Sequence, residues 1–146
     1  MHRFVSQPLN VPHHEHPYYR ADLEFEGVER FGASFVGLVF LGNPEADETT
    51  AQTPAQGYAG RFTVFGHSVC FGDAGHCDVA GRVSPFDRNP EHPLTPVNIT
   101  VQITDALKRV EETQVPVTVL AFSSNPDDAE RQDILRFSRL TLVTYD

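Results

Sequence analysis

Phe35–Leu41 reads F-V-G-L-V-F-L, an unbroken apolar run that Gly42-Asn43-Pro44 brings to a stop. A strand that leaves one face in water alternates apolar with polar residues. A continuous run predicts a central strand covered on both sides. Upstream, residues 21–29 (A-D-L-E-F-E-G-V-E) do alternate, with Leu23 and Phe25 inward, Val28 as a further inward candidate, and the acids outward. Downstream, residues 45–57 are polar, contain Pro54 and Gly57, and read as a loop, and 60–65 (G-R-F-T-V-F) is the next strand.

Residues 71–96 are irregular, broken by Pro85, Pro90, Pro93 and Pro96. Residues 97–103 (V-N-I-T-V-Q-I) alternate cleanly, and Thr104 or Asp105 is the expected N-cap of a short helix over 106–111. A strand over 115–122 carries Pro116 near its start, where a missing donor is tolerated. Residues 125–133 form an acidic turn, and 134–144 the last strand, with Leu135, Phe137, Leu140 and Leu142 as core candidates. Five or six strands with one short helix predict an all-β fold: an antiparallel β-sandwich or flattened barrel with long loops. Residues 21–146 are expected as one domain, preceded by an extended His- and Pro-rich arm over residues 1–20.

At 146 residues and 40% hydrophobic content the chain can build one core without a metal or a disulfide. Twenty acidic against 11 basic residues give a formal net charge of -9. With no basic stripe to neutralise phosphates, nucleic acid and anionic membrane surfaces are excluded as expected partners. The opening M-H-R-F-V-S-Q-P-L-N-V-P contains no apolar run long enough for a signal peptide or a membrane span. The default expectation is therefore the cytoplasm, where cysteines stay reduced, with export alongside a partner as the alternative. Asn98-Ile99-Thr100 matches a glycosylation sequon by chance on this reading.

Reactive side chains concentrate in one place. His67, Cys70, His76 and Cys77 stand within G-H-S-V-C-F-G-D-A-G-H-C-D, and the two cysteines are the only ones in the chain. Two thiols and two imidazoles are a complete ligand set for copper or zinc. Gly66, Gly72 and Gly75 let the backbone turn tightly enough to converge them. Cys70 and Cys77 are seven apart rather than in a tight knuckle, and adjacent side chains such as His76 and Cys77 point apart on an ideal strand. Two other readings stand beside the metal: a Cys70–Cys77 disulfide, worth roughly 2.5 kcal/mol by loop closure, or two buried free thiols. Asp73 and Asp78 are turn residues or acceptors that orient a ligand imidazole.

In the arm, His13, His14 and His16 form H-H-E-H, where His14 and His16 share a face of an extended chain and could pair on a metal; a solvated polar arm is the alternative. Tyr18 and Tyr19 are expected to anchor the arm by packing, and His92 to lie on the surface. There is no G-x-S-x-G elbow and no G-x-x-x-x-G-K loop, so acyl transfer and phosphate-loop chemistry find no motif here.

Five short segments, in this order, resemble the C-terminal β-domain that follows the dicopper domain in plant-type polyphenol oxidases and related tyrosinases. They are residues 36–43 (V-G-L-V-F-L-G-N) with an acidic stretch after them, 58–67 (Y-A-G-R-F-T-V-F-G-H), 101–107 (V-Q-I-T-D-A-L), 115–120 (V-P-V-T-V-L) and 135–142 (L-R-F-S-R-L-T-L). The resemblance implies a β-sandwich that packs over the copper site of a tyrosinase-like oxidase domain, shielding it or assisting its assembly. The Cys/His stretch at 66–78 is not part of the plant pattern. The six helical histidines of the dicopper domain have no counterpart in this chain, so it is not expected to be a phenol oxidase by itself. A chaperone-like role in loading copper is one expectation. A small stand-alone metalloenzyme, using three of the loop ligands or the arm histidines, is another. A metal-free interaction module is the third.

Overall fold

The structure is a computed structural model that describes residues 1–12, 17–30, 32–66, 86, 96–123 and 134–146. Its strands in chain order are β1 (His2–Val5), β2 (Leu9–Asn10), β3 (Arg20–Val28), β4 (Phe35–Leu41), β5 (Tyr58–Val64), β6 (Val97–Gln102), β7 (Gln114–Val115), β8 (Val117–Ser123) and β9 (Arg139–Tyr145). A 3-10 turn, Pro54–Gln56, precedes β5, and the helix α1, Thr104–Leu107, follows β6. The Cys/His stretch from 67 to 78, the arm histidines 13, 14 and 16, His92 and the acidic turn 125–133 all lie outside the described residues.

Two antiparallel sheets stack face to face. One runs β1-β8-β4-β5 and the other β6-β3-β9, with β2 and β7 forming a separate two-stranded ribbon. Phe25 of β3 meets Phe62 of β5 across the interface at 5.1 Å between ring centroids. Phe137 packs edge-on against both Phe25 and Phe4, at 5.4 and 4.9 Å. Among the described residues the two sheets share no paired strand, so the flattened-barrel alternative gives way to the sandwich.

β4 is covered on both faces, as its unbroken apolar run predicts. Phe35, Val39 and Leu41 enter the main core between the sheets. Phe40 turns the other way into a second cluster with Ala46 and Leu120, flanked by Leu38, Tyr58 and Phe122. The outer cover includes the polar loop after β4, which folds back so that Ala46 is buried. The Thr118 hydroxyl pins that loop by donating to the Asn43 carbonyl at 2.8 Å. A loop that reads as solvent-exposed by composition thus covers apolar surface through one alanine and its backbone.

On β3, Ala21, Leu23 and Phe25 are fully buried. Continued alternation would turn Gly27 inward and Val28 outward. A register shift between Phe25 and Val28, with Gly27 at φ 67°, moves Val28 into the core instead. The Asn98 side chain accepts the Gly27 N–H at 3.0 Å and stabilises the bulge.

Four expectations are revised. Asp22 sits on the outer face of β3, yet its side chain is completely buried, and it is paired with the Arg20 guanidinium, whose Nε donates to both carboxylate oxygens at 2.8 and 2.9 Å and whose Nη2 lies 2.7 Å from Oδ2. The helix spans Thr104–Leu107 rather than 106–111, and neither Thr104 nor Asp105 caps it. The Thr104 hydroxyl turns inward and accepts the Ala21 N–H at 3.0 Å, tying β3 to the end of β6. Within the arm, His2–Val5 pairs with β8 as an edge strand and Phe4 packs on the core. Finally, Pro116 separates β7 from β8, and residues 134–138 approach β9 without belonging to it, although Leu135 and Phe137 still pack in the core. None of the helices among the described residues is long and apolar enough to cross a membrane.

Candidate functional site

The strand registers assign every loop to one of two ends of the sandwich. Val64 pairs with Phe35, Phe35 with Ser123, Val28 with Val97, and Glu26 with Arg139. Gly66, which precedes the Cys/His stretch, and Val97 therefore lie at the same end. Gly66 is tightly fixed. It donates its N–H to the Ser34 hydroxyl at 3.0 Å, and a Cβ at 66 would collide with the backbone of Gly32 and Ala33. Phe65, just before it, is 76% exposed. Ser123, the last residue of β8, lies at this end as well.

The described residues that flank 13–16 lie at the opposite end. Val11 donates its N–H to Thr113, and Tyr19 to Tyr145, so the described residues on either side of 13–16 sit at the pole that carries α1. Tyr18 packs on the core as an arm anchor, and burial pushes its phenol pKa up. Tyr19 is 68% exposed and anchors nothing by packing. Tyr145 lies under the Arg20 guanidinium, 5.5 Å from its ring centroid. Burial raises its pKa, and the neighbouring Glu24 and Asp22 carboxylates raise it further.

Among the described residues no group of three or more His, Cys, Asp or Glu side chains stands together as a metal site. A cleft that no sequence pattern indicates opens at the α1 pole. Gly42 and Asn43 form one wall with the 3-10 turn Pro54–Gln56 and Gly57; Ala106, Arg109 and Val110 form the other, enclosing about 270 Å³. A second recess of about 340 Å³ continues past Ala106 and Arg109 toward Ala59, Gln102 and Asp105. The first wall is held by the Asn43 side chain, which donates to the Gln56 carbonyl at 2.9 Å. Gly57 adopts φ 79°, and any Cβ there would strike the Leu41 carbonyl, so only glycine fits this corner.

Arg109 lines both recesses, and among the described residues its guanidinium makes no ion pair or side-chain hydrogen bond. Among the described residues the same holds for Arg3 and Arg61, whereas Arg20, Arg136 and Arg139 are paired with Asp22, Glu29 and Glu26.

No family model, no curated protein and no solved structure matches this chain. The fold itself defines it as an all-β sandwich.

Proposed function

We propose that the chain is a non-catalytic copper-associated domain, similar to the C-terminal domain of tyrosinases and polyphenol oxidases, that shields or loads the copper site of a partner oxidase domain. The observation that carries this reading is the placement of the resembling segments. In chain order they fall on β4, β5, the β6–α1 junction, β7 with the start of β8, and the approach to β9. Their shared order along the chain is what supports the resemblance. The donor set is the second support. Thiolates are polarisable and favour Cu(I), with zinc as the alternative, and imidazole suits both. Cys70 and Cys77 would hold Cu(I) as thiolates, with His67 and His76 completing the shell.

Titration of the reduced protein with Cu(I) against a competing chelator tests this. One equivalent bound in the native chain, and none after Cys70→Ser with Cys77→Ser, is the expected result. Unchanged binding in the double variant removes the thiolates from the mechanism. An intact mass about two units below the reduced value in protein as isolated would put a disulfide in their place.

A further inference from the structure

We propose that the outward face of the β1-β8-β4-β5 sheet docks an extended acidic segment of a partner protein, one that carries an apolar residue midway between two carboxylates. The surface is independent of the copper reading. Its two central strands supply the apolar part. Phe35, Val39 and Leu41 of β4 and Val117, Val119 and Ala121 of β8 point into the core. Parity therefore turns Val36, Leu38, Phe40, Thr118, Leu120 and Phe122 outward. Thr118 is the single polar residue among them, and its hydroxyl is spent on the Asn43 carbonyl. A sheet face left to water alternates apolar with polar residues, and this one does not. The loop after β4 covers one part of it by setting Ala46 on Phe40 and Leu120. Val36, Leu38 and Phe122 are only half-buried. A contiguous apolar strip with a polar rim is the usual mark of a protein contact.

The rim selects the partner. The registers put Arg3, Leu120, Leu38 and Arg61 in one row across the four strands. Both arginines are exposed on the edge strands, at the two ends of that row. In a chain with 20 acidic residues, no outward residue of these four strands is acidic. Glu45, Asp47 and Glu48 belong to the covering loop, at the Phe40 end. A second copy placed face to face about a twofold axis would bring arginine toward arginine, so charge favours an acidic partner instead. Three strand spacings separate the two arginine backbones, about 14 Å. An extended chain covers about that distance in about four residues, and its alternate side chains share a face. Carboxylates four positions apart would thus meet the two guanidiniums, with the residue midway between them over Leu38.

The capped peptide Glu-Ser-Leu-Ser-Glu is the probe, titrated into the full chain at constant ionic strength and followed by amide shifts. Lys-Ser-Leu-Ser-Lys and vesicles of phosphatidylserine with phosphatidylcholine are run in parallel. Saturable shifts confined to residues 3–5, 36–40, 58–63 and 118–122 are expected with the glutamate peptide. The lysine peptide should bind about tenfold more weakly or less well still. Arg3→Glu combined with Arg61→Glu should reverse that preference, and because both side chains are exposed the ligand-free spectrum should otherwise match the native one. Shifts that never saturate, or a preference that survives the double charge reversal, overturn the surface. Equal binding of the two peptides overturns its selection for acids. Vesicle binding without peptide binding assigns the face to lipid and overturns the protein partner.

Discussion

Gly37 and Phe62 face each other across the β4–β5 ladder, and the Phe62 ring fills the space that any side chain at 37 would need. A Cβ built on Gly37 would lie 2.5 Å from Cζ of that ring. The glycine in the apolar run is thus the hollow that lets Phe62 reach Phe25 on the other sheet. Gly37→Ala should destabilise the fold by about 1–3 kcal/mol through overpacking. Chemical denaturation of Gly37→Ala, alone and combined with Phe62→Leu, measures it. A smaller ring-side residue should recover part of the loss, and additive losses would show that the two positions do not compete for space.

Arg20 and Arg139 are both paired with acids on the outer face of the β6-β3-β9 sheet, but the pairs differ in burial. Asp22 is fully buried beneath Arg20, while Glu26 and Arg139 are both solvated. Removing Arg20 strands a buried carboxylate, and removing Arg139 leaves an exposed one. Arg20→Ala should therefore lower the thermal midpoint by roughly twice as much as Arg139→Ala, or more. Equal shifts from scanning calorimetry would contradict the burial of Asp22.

Thr104 is 7% exposed, and its hydroxyl accepts the buried Ala21 N–H. Thr104→Val keeps the shape but leaves that donor unpaired, which should cost about 1–3 kcal/mol. Thr104→Ser keeps the acceptor and should cost less. Urea unfolding of the two variants gives the comparison, and the Ala21 amide should exchange faster only in the valine variant.

The N-terminal strand completes the first sheet. Phe4 packs edge-on against Phe137, and β1 pairs with β8 from His2 to Val5. Phe4→Ala should destabilise the protein by about 2 kcal/mol, below the loss for a fully buried ring because Phe4 is half-buried. Deleting residues 1–5 bares the β8 edge, so a rise in aggregation by light scattering is the expected second consequence. A truncated chain as soluble and stable as the native one would show that the arm is dispensable.

Asp47 accepts hydrogen bonds from the Thr49 hydroxyl and N–H and from the Thr50 hydroxyl, and these hold its pKa below the usual carboxylate value. A carboxyl whose folded pKa is depressed stabilises the turn above its unfolded pKa and loses that contribution as pH falls through the folded value. The 47–50 turn should therefore stay intact at neutral pH and loosen only at pH values below the ordinary carboxylate range. Amide shifts of Thr49 and Thr50 across an acid titration locate the transition. A midpoint at or above the usual Asp value would rule out the hydrogen-bonded carboxylate.

Where the sequence was legible, the signal was local. The apolar run at Phe35–Leu41 marks β4 to the residue. The alternation from 97 marks β6 to within one position, because side-chain direction on a strand depends only on parity. Leu23, Phe25, Leu140 and Leu142 pack in the core for the same reason. The helix was misplaced because Thr104 reads as a cap, whereas its hydroxyl is claimed by Ala21, 83 positions away. The first strand escaped notice because four residues carry too short a pattern, and its pairing partner lies more than a hundred positions downstream. The Arg109 cleft left no trace in the sequence, since its walls come from three turns that are brought together only by the ladders between them.

By itself, then, the sequence determined the strand content, the inward faces and a four-donor Cys/His stretch, since each is a property of residue type and short-range spacing. Tertiary structure decided which turns share a pole, which acid is buried, which glycine must stay empty and which arginine faces a recess. Those outcomes depend on contacts between distant residues, and a linear pattern carries no record of the distances that folding creates.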